Sequence, residues 1–153
     1  MFVRLNVKAG GKPKVVILKA LLDSGASATI IHQKFTDKLR KKQRKDVTWD
    51  TAAGSVKTTT TCKAEFTLPE LDPSMIVEWN FYVAEHLASY DMIIGRDLLK
   101  DLKIKLDFDT MSVQSEHVTI PMKPRGATYA DSLFIAEPES VEATTSWIHK
   151  ILD

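Results

Sequence analysis

The sequence predicts an all-β domain: a closed, mostly antiparallel barrel with one or two short helices. About eight short segments rich in apolar and β-branched residues follow one another, and turn-forming residues separate them roughly every 8 to 12 positions. The chain has 153 residues and is 44% hydrophobic, which suits one core and hardly two. Short strands at this spacing favour a barrel over a parallel α/β sheet. No internal repeat is visible, so the sequence has no second, matching half.

The strands are predicted from apolar runs and alternating patterns. Glycine and proline at positions 10–13 form the turn of a first hairpin, and a glycine among small residues at 23–26 demands a second tight turn. This second turn places Asp23 on a loop between strands. Extended structure is predicted for residues 2–7, 15–18, 20–22, 28–31, 47–49, 55–68, 77–83, 91–95, 103–108, 111–113 and 117–121.

Two segments have the spacing of short helices. Phe35 and Leu39, with lysines around them, predict a surface helix within residues 33–44, and residues 97–102 predict another. The folded domain is expected to comprise residues 1–122. Residues 123–153, rich in Pro, Gly, Ala, Ser and Glu, are expected to form a linker or tail that includes a helix beginning near Ser140.

Charge and composition exclude several kinds of partner. Lysine and arginine number 21 against 20 acidic residues, so a net charge of +1 creates no long-range field for nucleic acid or an anionic membrane. Residues 38–45 include six basic residues in eight, but no aromatic residue interrupts them, so a solvated surface is favoured over RNA binding. No apolar run approaches the ~20 residues of a membrane span, and no signal peptide is visible. We therefore expect a soluble chain with no membrane and no nucleic-acid partner.

The reactive side chains exclude several enzyme classes. Cys62 is the single cysteine, so an internal disulfide is impossible and a reducing compartment fits best. No cysteine or histidine pair has the spacing of a zinc site, and we expect neither metal nor cofactor. No Gly-x-Ser-x-Gly motif is present, which disfavours serine hydrolase chemistry. The chain has four histidines, His32, His86, His117 and His149, and none belongs to a zinc-site or catalytic motif.

Two motifs together carry a family resemblance. Two apolar residues precede Asp23-Ser24-Gly25-Ala26, and about seventy residues later the chain reads Ile93-Ile94-Gly95-Arg96-Asp97. An Asp-Ser-Gly tripeptide alone would be read as an ordinary β-turn. The joint occurrence at this separation, in a region from residue 2 to about 122, resembles the retropepsins, the homodimeric aspartic proteases of retroviruses and retroelements.

The resemblance implies a role for each matched residue. Asp23 corresponds to the catalytic aspartate, with loop support from Ser24, Gly25, Ala26, Ile94, Gly95 and Arg96. The substrate-binding positions are Gly25 and Ser27 of the loop and Ala52, Ala53 and Gly54 of a flap. The amides of Ala53 and Gly54 would hold substrate carbonyls, commonly through water. The Ser24 hydroxyl would stiffen the paired loops across a dimer.

One position departs from the family pattern. Many relatives have an acidic residue two places after the loop glycine to pair with the arginine, and here that position holds Ser27. The Arg96 guanidinium would then need other acceptors, and backbone carbonyls can serve.

The chemistry requires two carboxyl groups. One must remove a proton from water while the other donates one to the leaving nitrogen. Two carboxylates about 3 Å apart repel by roughly 5 kcal/mol at an effective dielectric of about 20, so the pair retains one proton. The chain has one Asp-Ser-Gly, and Asp107-Phe108-Asp109 lacks the glycine turn, so the second carboxylate must come from another copy.

The resemblance implies an endopeptidase that cleaves its own polyprotein, in the cytoplasm or within intracellular virus-like particles. The tail would then lead toward the next polyprotein domain. Two alternatives remain open. The first is a domesticated copy that is still a protease, and the second is a non-catalytic binding or scaffold module that keeps the fold.

Overall fold

The computed structural model describes residues 1–9 and 12–123. It contains ten β-strands, one short α-helix and a single turn of 3-10 helix at Gln33–Phe35. The turn predicted at Gly10 and Gly11 and residues 124–153 of the tail predicted for residues 123–153 lie outside the described residues. The elements are β1 Phe2–Ala9, β2 Lys12–Leu22, β3 Ile30–His32, β4 Lys41–Thr51, β5 Gly54–Leu68, β6 Asp72–Ala84, β7 Met92–Ile94, α1 Arg96–Asp101, β8 Lys105–Asp107, β9 Ser112–Gln114 and β10 Thr119–Pro121.

The larger sheet closes into a barrel. Its strand order is β1-β2-β7-β3-β6-β5-β4. Because β1 also pairs with β5, the six strands β1, β2, β7, β3, β6 and β5 form a closed ring. Strand β4 lies outside this ring as an edge partner of β5. Closure satisfies the backbone groups that an open sheet would leave at its edges. The predicted all-β barrel with one or two short helices is confirmed.

The barrel is filled by apolar side chains that alternate along the strands. In β1, Val3 and Leu5 are fully buried, while Arg4 between them is exposed. The rings of Phe66 and Phe81 meet in the interior with centroids 5.7 Å apart. This alternation is the period-2 pattern of a half-buried strand, and it fixes the register because a one-residue slip would expose every core side chain.

A second sheet of three short strands, in the order β10-β9-β8, completes the described part of the chain. Val113 and Ile120 from this sheet belong to the main hydrophobic core. Lys123, the last described residue, forms an ion pair with Glu70, whose carboxylate also accepts a hydrogen bond from the Phe2 amide at 2.8 Å. The predicted domain boundary at Met122 stays a prediction.

The helix predicted within residues 33–44 is wrong. Only Gln33–Phe35 is helical, and β4 has begun by Lys41, so the basic segment 38–45 runs largely along an edge strand. Phe35 and Leu39, which suggested a helical face, pack instead against the barrel core. This segment is a strand because its backbone forms hydrogen bonds with β5. The free energy gained from this pairing exceeds the weak helical preference of the segment.

No helix in the described ranges, residues 1–9 and 12–123, has both the length and the apolar character needed to cross a membrane.

Candidate active site

Asp23 lies directly after β2, at the point where two parallel strands end together. Strands β2 and β7 pair in parallel with Leu22 opposite Ile94, so the chain continues from one into Asp23 and from the other into Gly95. Asp23 is buried, with 7% of the residue exposed. Its Oδ1 accepts a hydrogen bond from the Gly25 amide at 2.9 Å, and its Oδ2 accepts one from the Ala52 amide at 2.7 Å. A buried carboxylate is thus held by two backbone donors.

The loop around Asp23 is interlocked with the segment after β7. The Asp23 amide donates to the Ile94 carbonyl at 2.9 Å, and the Arg96 amide donates to the Ala26 carbonyl at 2.8 Å. Within the loop, the Ala26 amide donates to the Asp23 carbonyl at 3.2 Å. These bonds bring together the two sequence motifs that lie about seventy residues apart, and they hold the carboxylate in one orientation.

Position 95 requires glycine because there is no space for a side chain. A Cβ atom at this position would lie 2.3 Å from the Ala28 carbonyl oxygen and 2.9 Å from the Ala26 carbonyl oxygen. Both contacts are with backbone atoms of the Asp23 loop, which cannot rotate away as a side chain can. The glycine therefore allows β7 to pass directly beneath the loop.

A buried polar network that the sequence analysis missed supports the same junction. The Thr29 hydroxyl donates to Asp97 Oδ1 at 2.7 Å and accepts from the Gly95 amide at 3.1 Å. The other oxygen of Asp97 accepts from the Thr29 amide at 3.3 Å. Thr29 is fully buried, and a hydroxyl amino acid between apolar residues of a predicted strand was the available signal. The network fastens the chain before β3 to the start of α1.

Arg96 is exposed, and its guanidinium contacts the Asp23 loop through the backbone. Its Nη1 donates to the Ser24 carbonyl at 3.3 Å. A backbone carbonyl thus accepts from Arg96 in the structure, where the family pattern would offer a carboxylate at the position of Ser27. The side chains of Ser24 and Ser27 are exposed on the same loop.

Strands β4 and β5 form a hairpin whose tip reaches Asp23. The turn is stiffened from within, because the Thr51 hydroxyl accepts from the Ala53 amide at 3.0 Å and donates to the Gly54 carbonyl at 2.7 Å. Gly54 has a φ of 98°, a conformation that favours glycine. The Ala53 amide is therefore used inside the turn, and it is the Ala52 amide that points at the carboxylate. We call residues 49–56 the flap.

Trp49 anchors the base of the flap, and sequence reasoning missed it as well. Its indole Nε1 donates to the Thr58 hydroxyl at 2.9 Å, and its ring lies against Tyr82 of β6 with centroids 4.8 Å apart. A tryptophan that combines a large apolar area with a satisfied N–H restrains its strand strongly.

A second, smaller hydrophobic cluster lies between the flap and the Asp23 loop. Trp49, Ala53 and Val56 of the flap pack in this cluster with side chains from the barrel. The other members, from the barrel strands, the Asp23 loop and the loop after β6, are Leu21, Ala26, Ile30, Tyr82, Ala84, Leu87 and Ile93. The surroundings of Asp23 are thus apolar on the side that the flap covers.

The part of the chain that the structure describes contains neither a reactive thiol nor a metal site. Cys62 is 2% exposed, and burial raises the pKa of its thiol to about 11, so the reactive thiolate is disfavoured. Within residues 1–9 and 12–123, no cluster of three or more His, Cys, Asp or Glu side chains could hold a metal ion.

A buried aspartate on a small-residue turn, supported by an apolar-apolar-glycine strand and covered by a hairpin, defines an aspartic protease type of site. The family model of retroviral aspartyl proteases matches residues 3–107. The chain belongs to the retroviral aspartyl protease family. The resemblance to retropepsins is confirmed.

Two solved structures match the chain. The retroviral protease-like domain of Ddi1 from Leishmania major matches with a TM-score of 0.55 and 20% identity, over 84% of this chain and 97% of that one. The EIAV protease complexed with the inhibitor HBY-793 matches with a TM-score of 0.45 and 22% identity, over 71% of this chain and 90% of the other. No curated protein sequence is significantly similar to the chain.

Proposed function

We propose that the protein is an aspartic endopeptidase whose active site combines Asp23 of one copy with Asp23 of a second copy. The observation that carries this proposal is the position of Asp23, a residue that is 7% exposed and follows β2 directly. Backbone hydrogen bonds and the close passage of Gly95 hold its loop rigidly. Rigid placement of a reacting group is what acid and base catalysis needs.

The proposed reaction uses two carboxyl groups that share one proton. The ionised member takes a proton from water as the water oxygen attacks the carbonyl carbon of the scissile peptide bond. The protonated member then donates its proton to the leaving nitrogen, and the C–N bond breaks. This division of roles is the general one of aspartic proteases, and it is carried over to the Asp23 pair from that class. No cofactor enters the reaction.

A second copy is proposed because the described part of the chain supplies no equivalent partner for Asp23. The carboxylate of Asp97 is already bonded to Thr29 and to the Leu98 amide, which donates at 2.8 Å. Asp107 lies in a turn of the second sheet, where its Oδ1 accepts from the amides of Asp109 and Thr110 at 3.0 and 3.2 Å. A two-fold dimer brings the Asp23 loops of two copies together, so that the site contains two Asp23 carboxyl groups.

The proposed substrate is the retroelement polyprotein that contains this domain, cut in the cytoplasm or inside intracellular virus-like particles. The apolar cluster beside Asp23 favours cleavage within apolar segments. A domesticated protease in a host protein is the second candidate, and the similar domain of Ddi1 favours it. A non-catalytic scaffold is the third candidate, and the flap amide on Asp23 favours it because that contact occupies the carboxylate.

Dilution and subunit mixing test the shared site. Activity per chain should fall as the protein is diluted through its dimer dissociation constant, because only dimers contain both carboxylates. Adding excess Asp23→Asn chains to wild type should lower activity below that of the same wild-type chains alone, since mixed dimers hold one carboxylate. The control is to add the same excess of Asp50→Ala chains, which lack an exposed carboxylate of the flap and keep Asp23.

The expected result is that the Asp23→Asn chains suppress activity and the Asp50→Ala chains do not. Constant activity per wild-type chain during dilution and under added Asp23→Asn would show that one copy is sufficient. The substrate should be the longer precursor of the chain, with a statine-type inhibitor to show that cleavage is aspartic.

Gly54→Ala is expected to lower proteolysis at least about tenfold while destabilising the fold by only about 1 to 2 kcal/mol. A Cβ at Gly54 meets no atom within 4 Å, so the whole effect comes from the φ of 98° that alanine disfavours. Relaxing that strain changes the turn and moves the flap tip. Peptide cleavage and thermal melting would be compared with Ser55→Ala, an exposed neighbour expected to keep both properties. Equal losses in both variants would contradict a role for the turn geometry.

A further inference from the structure

The flap of a single chain already occupies the carboxylate that catalysis would use. The Ala52 amide lies 2.7 Å from Asp23 Oδ2, and no water fits between atoms at this distance. Because the Gly25 amide occupies Oδ1, both oxygens of the carboxylate accept hydrogen bonds from the chain itself. The closed position is therefore a bonded state of the flap.

Two further sets of contacts hold the flap down. Ala53 and Val56 pack in the smaller hydrophobic cluster, where Val56 is 4% exposed. Trp49 fastens the base through Thr58 and Tyr82. The Thr51 and Gly54 contacts keep the turn in the one shape that aims the Ala52 amide at Asp23. A rigid turn on an anchored hairpin loses little entropy when this last bond forms.

We propose that the flap tip is an autoinhibitory lock, in which the Ala52 amide binds the Asp23 carboxylate of its own chain and keeps a single copy inactive. The consequence for catalysis rests on the proposed function, whereas the lock itself does not. A second copy or a bound substrate must withdraw the amide from Oδ2 before water or the partner carboxylate can approach. Activation then has two requirements, pairing of the loops and release of the flap.

Amide hydrogen exchange of Ala52, measured by NMR at a concentration where sedimentation shows monomer, tests the lock. A hydrogen bond to a charged acceptor corresponds to a factor of about ten or more in the ratio of closed to open states. The Ala52 amide of the wild-type chain should therefore be protected, and Asp23→Ala should accelerate its exchange at least about tenfold. Amides of β5 and β6 in the barrel should keep their rates, which shows that the variant is folded.

Asp50→Ala is the matched control, because it removes an exposed carboxylate from the flap without touching Asp23. It should leave Ala52 exchange within about twofold of wild type. Free-peptide exchange of Ala52 in the wild-type monomer, or the same exchange rate in Asp23→Ala, would overturn the lock. The measurement requires no turnover. A protected amide in a chain that cleaves no peptide even at concentrations where it is dimeric and substrate is present would refute the proposed function and keep the lock.

Cysteine labelling provides a second measurement that keeps Asp23 intact. Cys62 is the single native cysteine, buried and with a pKa of about 11, so its background reaction is slow. In Ala53→Cys the new thiol lies in the cluster beneath the flap, and it should react faster by about fivefold or more when Ala52→Pro removes the amide donor. Ala52 is the first of the two turn residues between β4 and β5 and has no positive φ, and this turn position commonly accepts proline.

Ser55→Cys is the control for labelling, since this flap residue is exposed in the closed position. Its labelling rate should be the same with and without Ala52→Pro. Equal rates for Ala53→Cys in the two backgrounds would overturn the lock, because the flap would then open as often without the bond as with it.

Discussion

Asp23→Asn is expected to lower kcat for peptide cleavage by at least about 10³-fold. The amide has the volume of the carboxylate but cannot take a proton from water, and in a homodimer the substitution removes both members of the pair. One of the two backbone donors, Gly25 or Ala52, will face the new NH2 group of asparagine, so a small loss of stability is expected. The melting temperature should fall by only a few degrees.

The matched variant is Asp50→Asn, which changes an exposed carboxylate of the flap. It should retain wild-type activity within about threefold, because Asp50 bonds only with the Ser55 hydroxyl among the described hydrogen bonds. Cleavage of the precursor would be measured together with thermal unfolding for both variants. Residual turnover of Asp23→Asn within tenfold of wild type would show that Asp23 does not carry the reaction.

Gly95→Ala is expected to destabilise the protein by about 3 kcal/mol or more, which corresponds to a fall in melting temperature of roughly 10 °C or more. The added Cβ would lie 2.3 Å from the Ala28 carbonyl oxygen and 2.7 Å from its carbonyl carbon. Relief requires β7 or the Asp23 loop to move, and the bonds from Asp23 to Ile94 and from Arg96 to Ala26 would be stretched with it.

A position can require glycine because a Cβ atom would be too close to its neighbours or because its φ is positive. Gly95→Ala tests the first cause, and Gly54→Ala, which adds a methyl group in open space, tests the second. Gly95 has a φ of −90°, which any residue adopts, so its alanine variant suffers from contact alone. Gly54 has the unfavourable φ and no neighbour within 4 Å. Thermal or denaturant unfolding should therefore rank Gly95→Ala well below Gly54→Ala in stability. The reverse order would show that the Asp23 loop and β7 are not packed as closely as described.

The closed flap bears on the choice between an enzyme and a scaffold. A hairpin tip bonded to Asp23 would be a permanent feature of a scaffold, whereas in a protease it must be reversible. The effect of a bound inhibitor on the exchange and labelling rates of the flap therefore separates these functions. A flap that opens on binding of a statine-type inhibitor would favour the protease.

The sequence by itself determined the all-β class and the family. Alternation in β1 and β5 and turn residues between strands are local signals, since each depends on residues close together in the chain. The position of Asp23 on a loop followed from the glycine turn for the same reason. The family followed from two short motifs, around Asp23 and Gly95, whose separation can be read along the chain without the fold. The fold confirmed the barrel, and the family model confirmed the retropepsin resemblance.

Only the tertiary structure decided which distant groups meet. The helix expected within residues 33–44 gave way to β4 because pairing with β5, where Lys41 lies opposite Cys62, outweighed a local preference. The Thr29 and Asp97 network, the Trp49 contact with Tyr82 and the Ala52 amide on Asp23 each join residues that no local pattern links. Contacts between distant residues depend on barrel closure and register, which are properties of the whole sheet and not of any segment.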